Sequence, residues 1–93
     1  MKILPKNVTA YRQTSVFTQD TIPNALLHSH TTREGSWGKL CVISGQLRYQ
    51  ILTNPPEEHV ISSELPGIIE PKISHKVEPI GSVEFYVEFH HQV

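Results

Sequence analysis

Turn-forming residues interrupt this chain so often that no long helix can form between them. The runs that separate the prolines and glycines are short and rich in Val, Ile, Leu, Tyr and Phe, which favour strands. None of these runs has helical periodicity, and several alternate between apolar and polar residues. We predict strands over 26–31, 39–44, 46–53, 59–65, 68–70, 75–79 and 83–89, with a tight hairpin at Gly45-Gln46. Short strands at this spacing predict an all-β domain, either a sandwich or a barrel.

Size and charge narrow the class of function. The 93 residues allow one domain near the lower end of what folds on a single core, so we expect 1–93 to be one domain. The net charge is −1 and no run of Lys or Arg occurs, which argues against nucleic acid or a membrane as a partner. Cys41 is the only cysteine, so no internal disulfide can form, and we expect a cytoplasmic protein.

Three histidines are the candidate chemical groups. His28 and His30 are separated by one residue, and on a strand their side chains would point to the same face. We expect His75, from the second half of the chain, to meet this pair. Neutral imidazoles suit Zn, Fe, Ni, Cu or Mn. The sequence therefore makes His28, His30 and His75 the candidate ligands of one divalent metal.

The spacing of these residues resembles a known fold. His28-x-His30, Val42-x-x-Gly45 and Pro71-x-x-x-His75 resemble the two motifs of the cupin superfamily. The residues that resemble the tellurite-resistance-related (TehB/YeaR-like) small cupin family are Leu4-Pro5, Tyr11-Arg12-x-Thr14-x-Val16-Phe17, Pro23-x-Ala25-Leu26, Gly35-x-Trp37-Gly38 and Val42-x-x-Gly45-x-Leu47-x-Tyr49. In that family the fold occurs alone or beside a methyltransferase domain. The resemblance implies a cupin-like double-stranded β-helix (a jelly-roll barrel), with an N-terminal arm and pairing strand at 1–25, a first motif at 26–53 and a second motif at 59–89.

A cupin site also takes a glutamate, and the resemblance leaves its position open. Counting forward from His30 gives Glu34, whereas counting back from Gly45 gives Gly38, which has no side chain. Glu88 is the other candidate if its face of the last strand lines the barrel, because a buried carboxylate must be paired or bind a metal. Either Glu34 or Glu88 could therefore complete the metal site.

These expectations lead to one function and two alternatives. The first is a small metal-binding cupin-like protein that handles or senses a small-molecule or oxyanion ligand, as the tellurite association of the family implies. The second is a small metalloenzyme of dioxygenase or isomerase type, whose metal keeps open positions. The third is an interaction module without a metal. A small barrel leaves edge strands that invite pairing, so we also expect a homodimer formed through the segment 11–17.

Overall fold

The computed structural model describes residues 1–92, and over that range the protein consists of six strands and one short helix. The elements are β1 (Val8–Gln13), β2 (Phe17–Thr18), α1 (Asn24–Leu27), β3 (Ser36–Ile51), β4 (Glu57–Ile61), β5 (Gly67–Ile69) and β6 (His75–Gln92). No helix within residues 1–92 is long and apolar enough to cross a membrane. The prediction of an all-β domain is confirmed.

The two long strands, β3 and β6, form the centre of the sheet. They pair antiparallel along almost their whole length, and the strand order is β1-β6-β3-β4. The first half of β3 lies between the end of β6 and β5, while its second half lies between the start of β6 and β4. At the other side of β6, both β1 and β2 pair with its C-terminal half. Every other strand is therefore held by β3 or β6.

A bend in the middle of β3 lets both of its halves face one core. The register with β6 shifts twice at this bend, and β3 carries one extra residue there, the half-exposed Ile43. One extra residue moves all later side chains to the opposite face of a strand. Leu40 and Leu47 are consequently both fully buried, although an odd number of positions separates them. Gly45 has a φ of +80° at the bend, a conformation that favours glycine.

Apolar side chains from the inner faces of both half-sheets form the core. Its buried members are Ile22, Leu40, Val42, Leu47, Tyr49, Ile51, Ile61, Ile69, Val77, Val83, Phe85 and Val87. Tyr49 is 1% exposed, and its hydroxyl donates a hydrogen bond of 2.8 Å to the Ile68 carbonyl. Burial and the nearby carboxylates of Glu57 and Glu70 raise the pKa of this phenol.

The structure corrects two local predictions. The strand predicted over 26–31 is wrong, because residues 24–27 after Pro23 form α1, and Leu26 and Leu27 pack against the core from there. The hairpin predicted at Gly45-Gln46 is also wrong, because β3 continues through this point while β6 bends alongside it. Backbone hydrogen bonds to the neighbouring strand continue on both sides of the bend, so no turn forms.

Candidate functional site

Two of the three predicted site histidines lie together. The segment after α1 runs beside the start of β6, and the backbones of His30 and His75 exchange hydrogen bonds of 2.9 and 2.8 Å. Their rings are nearly perpendicular, with centroids 5.5 Å apart. The ring of Tyr49 lies 6.1 Å from that of His75 on the core side.

His75 is buried, and its environment favours the neutral ring. Burial lowers the pKa of this imidazole, the Ile73 carbonyl partly opposes that effect, and His30 lowers the pKa further. The Nδ1 atom lies 3.3 Å from the Ile73 carbonyl oxygen. The Nε2 atom is also buried, and it has no hydrogen-bond partner among residues 1–92. The surroundings of the ring therefore disfavour its protonated form.

The other predicted ligands lie elsewhere. His28 is exposed at the end of α1, since the strand that would align it with His30 does not form. Glu34 is exposed on the following loop, and Glu88 faces away from the core, where its carboxylate lies 2.8 Å from Nε2 of His90. Within the described part of the chain, no three His, Cys, Asp or Glu residues are grouped so that they could hold a metal ion.

Gly38, the second position considered for the glutamate, has little room for a side chain. A Cβ atom there would lie 3.0 Å from Cδ1 of Ile69 on the neighbouring strand β5. A carboxylate at this position would have to displace the core side chain of Ile69. The close contact between β3 and β5 thus accounts for glycine at this position.

A cleft beside the edge strand β1 collects basic and hydroxyl side chains. Its volume is about 280 Å³, and we call it the basic cleft. It is lined by Tyr11, Arg12, His30, Thr32, Arg33, Ser36 and Phe89. An adjoining cavity of about 420 Å³ shares Tyr11, Arg33 and Ser36 with it and also contains Glu34. The basic cleft itself has no carboxylate in its lining.

Local contacts position the groups of the basic cleft. The guanidinium carbon of Arg12 lies 5.1 Å from the centre of the Phe89 ring, within the range of a cation–π interaction. Thr32 is buried, and its hydroxyl donates a hydrogen bond of 2.7 Å to the Ser36 carbonyl, which closes the loop that carries Arg33. Within residues 1–92, neither arginine forms an ion pair with a carboxylate. Two guanidinium groups are thus available to a ligand.

The sequence analysis did not single out Arg12 or Arg33 as site residues. Arg12 lies on β1 and Arg33 lies in the loop before β3, and these elements meet only because both reach the end of β6. Arg12 was among the residues that resemble the family, but the resemblance assigned it no role. The one available signal was the position of Arg33 in a loop, two residues before Gly35.

The described residues define a small all-β domain with a basic cleft beside its edge strand. Residues 12–87 match the family model described as the TehB-like domain. This match covers most of the chain, so the chain belongs to the TehB-like family. The prediction of the tellurite-resistance-related family is confirmed, whereas the comparisons do not support its description as a small cupin family.

The curated relatives that the chain matches are longer proteins. The chain is 33% identical over 83 residues to the "Probable S-adenosyl-L-methionine-dependent methyltransferase TehB" of Haemophilus influenzae (strain ATCC 51907 / DSM 11121 / KW20 / Rd), covering 84% of this chain and 29% of the relative. The protein of the same name from Haemophilus influenzae strain 10810 is 32% identical over 83 residues, again covering 84% of this chain and 29% of the relative. The chain therefore spans about a third of the length of the curated relatives it matches.

The solved structures that are similar to this one include the following two. The crystal structure of TehB from Haemophilus influenzae has a TM-score of 0.84 and 30% identity, over 94% of this chain and 32% of that one. A protein from E. coli strain K12 has a TM-score of 0.89 over 100% of this chain and 99% of that one. Its identity is 20%, so it supports the fold alone.

These relatives correct the predicted function and cofactor. Their name specifies S-adenosyl-L-methionine, where we predicted a divalent metal. The prediction of a metal-binding cupin-like protein, with its metalloenzyme alternative, is therefore wrong, and so is the assignment of Zn, Fe, Ni, Cu or Mn. The geometry agrees with this correction, because residues 1–92 bring only His30 and His75 of the predicted ligands together.

The residues described do not fit S-adenosyl-L-methionine either. Nucleotide cofactors are commonly held where a glycine-rich loop leads from a strand into a helix. Over residues 1–92 the helix has four residues, and no glycine precedes Gly35 in the sequence. A cavity of about 490 Å³ is lined by Arg48 with Glu58 and Glu78, which pair with that arginine at 2.9 and 2.7 Å. We assign no step of methyl transfer to these residues.

Proposed function

We propose that the chain is a small-molecule-binding domain of the TehB-like family, and that its ligand is a small oxyanion held in the basic cleft. The observation that carries this proposal is the convergence of Arg12, Arg33 and His30 on one cleft without a carboxylate in its lining. A guanidinium group offers paired N–H donors that match two oxygens of an oxyanion. Two such groups with a nearby imidazole suit a compact anion.

The hydroxyl groups of the cleft support the same class of ligand. The Tyr11 hydroxyl lies 3.3 Å from Oγ of Ser36, a long contact that either group could exchange for a hydrogen bond to a ligand oxygen. The ring of Phe89 packs against the Arg12 guanidinium and restricts that side chain, so less side-chain freedom is lost when an anion binds. The hydroxyl groups of Tyr11 and Ser36 would then orient the bound anion, which charge alone does not do.

We further infer that this binding serves S-adenosyl-L-methionine-dependent methyl transfer performed by a different part of a longer protein or by a separate one. Support comes from the curated relatives, which carry that activity in their name and of which this chain matches about a third. The poor fit of the described residues to the cofactor agrees with a division of labour. In this reading the domain holds the ligand, while the methyl donor binds elsewhere.

Calorimetric titration of the chain with tellurite, selenite and sulfate tests the proposal. We expect one site per chain for at least one of these anions. Arg12→Gln and Arg33→Gln should each weaken binding about tenfold, because a hydrogen bond to a charged group contributes about 1.5 kcal/mol. Lys6→Gln removes the same charge from an exposed position outside the cleft and should leave binding within about twofold. Equal weakening by all three variants, or no binding of any anion, would reject the proposal.

Finer features of the fold and assembly stay proposals. Both half-sheets contribute to one core, and this supports a jelly-roll arrangement with an arm at 1–25 and two motifs at 26–53 and 59–89.

A homodimer formed through 11–17 is supported by the exposure of two apolar side chains of that segment, Tyr11 at 45% and Val16 at 48%.

A further inference from the structure

Another cavity lies at the end of β3 and shares no residue with the basic cleft. Its volume is about 280 Å³. Its lining combines apolar side chains (Tyr49, Ile51, Ile68 and Ile73) with polar ones (Lys2, Thr53, Glu57 and Glu70), and Met1 forms part of the wall. We call it the acidic pocket. An apolar floor under a charged rim suits a ligand with a charged head and an apolar body.

Met1 places an amino group and an apolar side chain in the acidic pocket. The amino group of Met1 forms an ion pair with a carboxylate oxygen of Glu57. The backbone N–H of Ile68 donates a hydrogen bond of 3.2 Å to the Met1 thioether sulfur, and the Met1 side chain packs against the core. An ammonium group, a short chain and a sulfur atom are thus each bound by a separate feature of the pocket.

The charges of the pocket favour a cation. The amino group of Met1 and the neighbouring His59 hold the pKa of Glu57 below its usual range, so this carboxyl group is ionised at neutral pH. Glu70 is a second carboxylate on the rim, and Nζ of Lys2 lies 3.9 Å from it. Lys2 is mostly exposed, and it is the pocket's lone lysine or arginine among residues 1–92. A ligand that carries its own carboxylate would be repelled by both glutamates.

We propose that the acidic pocket binds a primary alkylammonium compound with a short aliphatic or thioether chain and no carboxylate, and that Met1 competes with this ligand for Glu57. The specific contacts are the ion pair to Glu57, the N–H of Ile68 towards a sulfur atom, and the apolar floor. The proposal concerns Met1, Lys2 and residues 49–73, and it is independent of the oxyanion proposed for the basic cleft.

A titration followed by ¹⁵N–¹H NMR tests the ligand class. The probe is methioninamide, which has the ammonium group and the thioether but no carboxylate. We expect its addition to shift the backbone amide signals of Ile68 and Tyr49 in a saturable manner. N-acetylmethioninamide, which lacks the ammonium group, and methionine, which adds a carboxylate, should each bind about fivefold more weakly, the upper end for one partly exposed charge interaction. Equal shifts with all three compounds, or none with methioninamide, would overturn the proposal.

A pair of variants tests the role of the rim. Glu57→Gln should weaken methioninamide binding about fivefold, because it removes the partner of the ammonium group. Glu58→Gln is the matched control, since the Glu58 carboxylate pairs with Arg48 outside the pocket. It should leave binding within about twofold. If Glu57→Gln does not fold, the comparison of the three compounds on the unaltered chain still decides the question. Equal weakening by both variants would also overturn the proposal.

Discussion

Replacing Gly45 by alanine should destabilise the domain far more than the same replacement at Gly81. Both glycines lie at the bend of the β3–β6 pair and both have positive φ angles, +80° and +64°. They differ in the space around them. A Cβ atom on Gly45 would lie 2.1 Å from the Ser82 carbonyl oxygen and 3.0 Å from Cα of Val83, whereas a Cβ on Gly81 would meet nothing within 4 Å.

The expected magnitudes follow from these two contributions. An alanine in the left-handed region costs about 1–2 kcal/mol at either position. At Gly45 the overlap with backbone atoms adds about 1–3 kcal/mol, because β6 cannot move away without losing its pairing with β3. Gly45→Ala should therefore be less stable than Gly81→Ala by at least about 1 kcal/mol. For a domain of this size that difference lowers Tm by about 4–8 °C.

Urea unfolding of both variants, followed by circular dichroism at several temperatures, measures the difference. The two variants change the same atoms and the same backbone region, so their comparison isolates the contact with Ser82. Equal loss of stability in Gly45→Ala and Gly81→Ala would refute the steric argument. A more stable Gly45→Ala variant would mean that the bend at this residue is not as described.

Two further predictions concern buried polar groups. Burial lowers the pKa of His75 below 6.5, so the unfolded chain binds a proton at this residue more readily than the folded one, and the stability present above pH 6.5 should fall as the pH drops below it. Urea unfolding between pH 7.5 and 5.5 should show that stability depends less on pH in His75→Gln than in the unaltered chain. The exposed position His28 is the control, and His28→Gln should not reduce this dependence. Tyr49→Phe removes the hydrogen bond to Ile68 and should lower the free energy of unfolding, measured by thermal unfolding, by about 1 kcal/mol. Tyr11→Phe, at the exposed edge strand, should change that free energy by no more than about 0.5 kcal/mol. Equal effects would contradict the role of the buried hydroxyl.

Sequence reasoning succeeded where a pattern depends on burial and failed where it depends on a partner strand. The strand predicted over 83–89 from apolar–polar alternation does bury one face, since Phe85 and Val87 are almost fully buried. Gly45 was read as a hairpin turn, since a turn and a bend both use a glycine with positive φ. The choice between them is made by β6, which pairs with β3 on both sides of the bend. Local sequence contains no information about that neighbour.

The candidate site was harder to predict than the fold. The spacing of His28 and His30 predicts a shared face only if both lie on a strand, but the residues before them form α1. Proline at position 23 was available as a helix-start signal, because proline is tolerated where a helix begins. His75 does meet His30, yet the meeting depends on β6 passing that segment. Arg12 comes from a separate strand, so no spacing rule could place it in the same cleft.

The long pairing of β3 with β6 has a consequence for how the chain folds. Ile51 and His75 are the closest in sequence of all residues paired between these strands, whereas Ser36 pairs with His91 across much of the chain. Closing a shorter loop costs less entropy, so pairing should start near Ile51 and proceed outwards through the bend. The strand β1 can join only after the end of β6 is in place. The basic cleft, which needs β1, therefore forms late, and folding should be slow for a domain of this size.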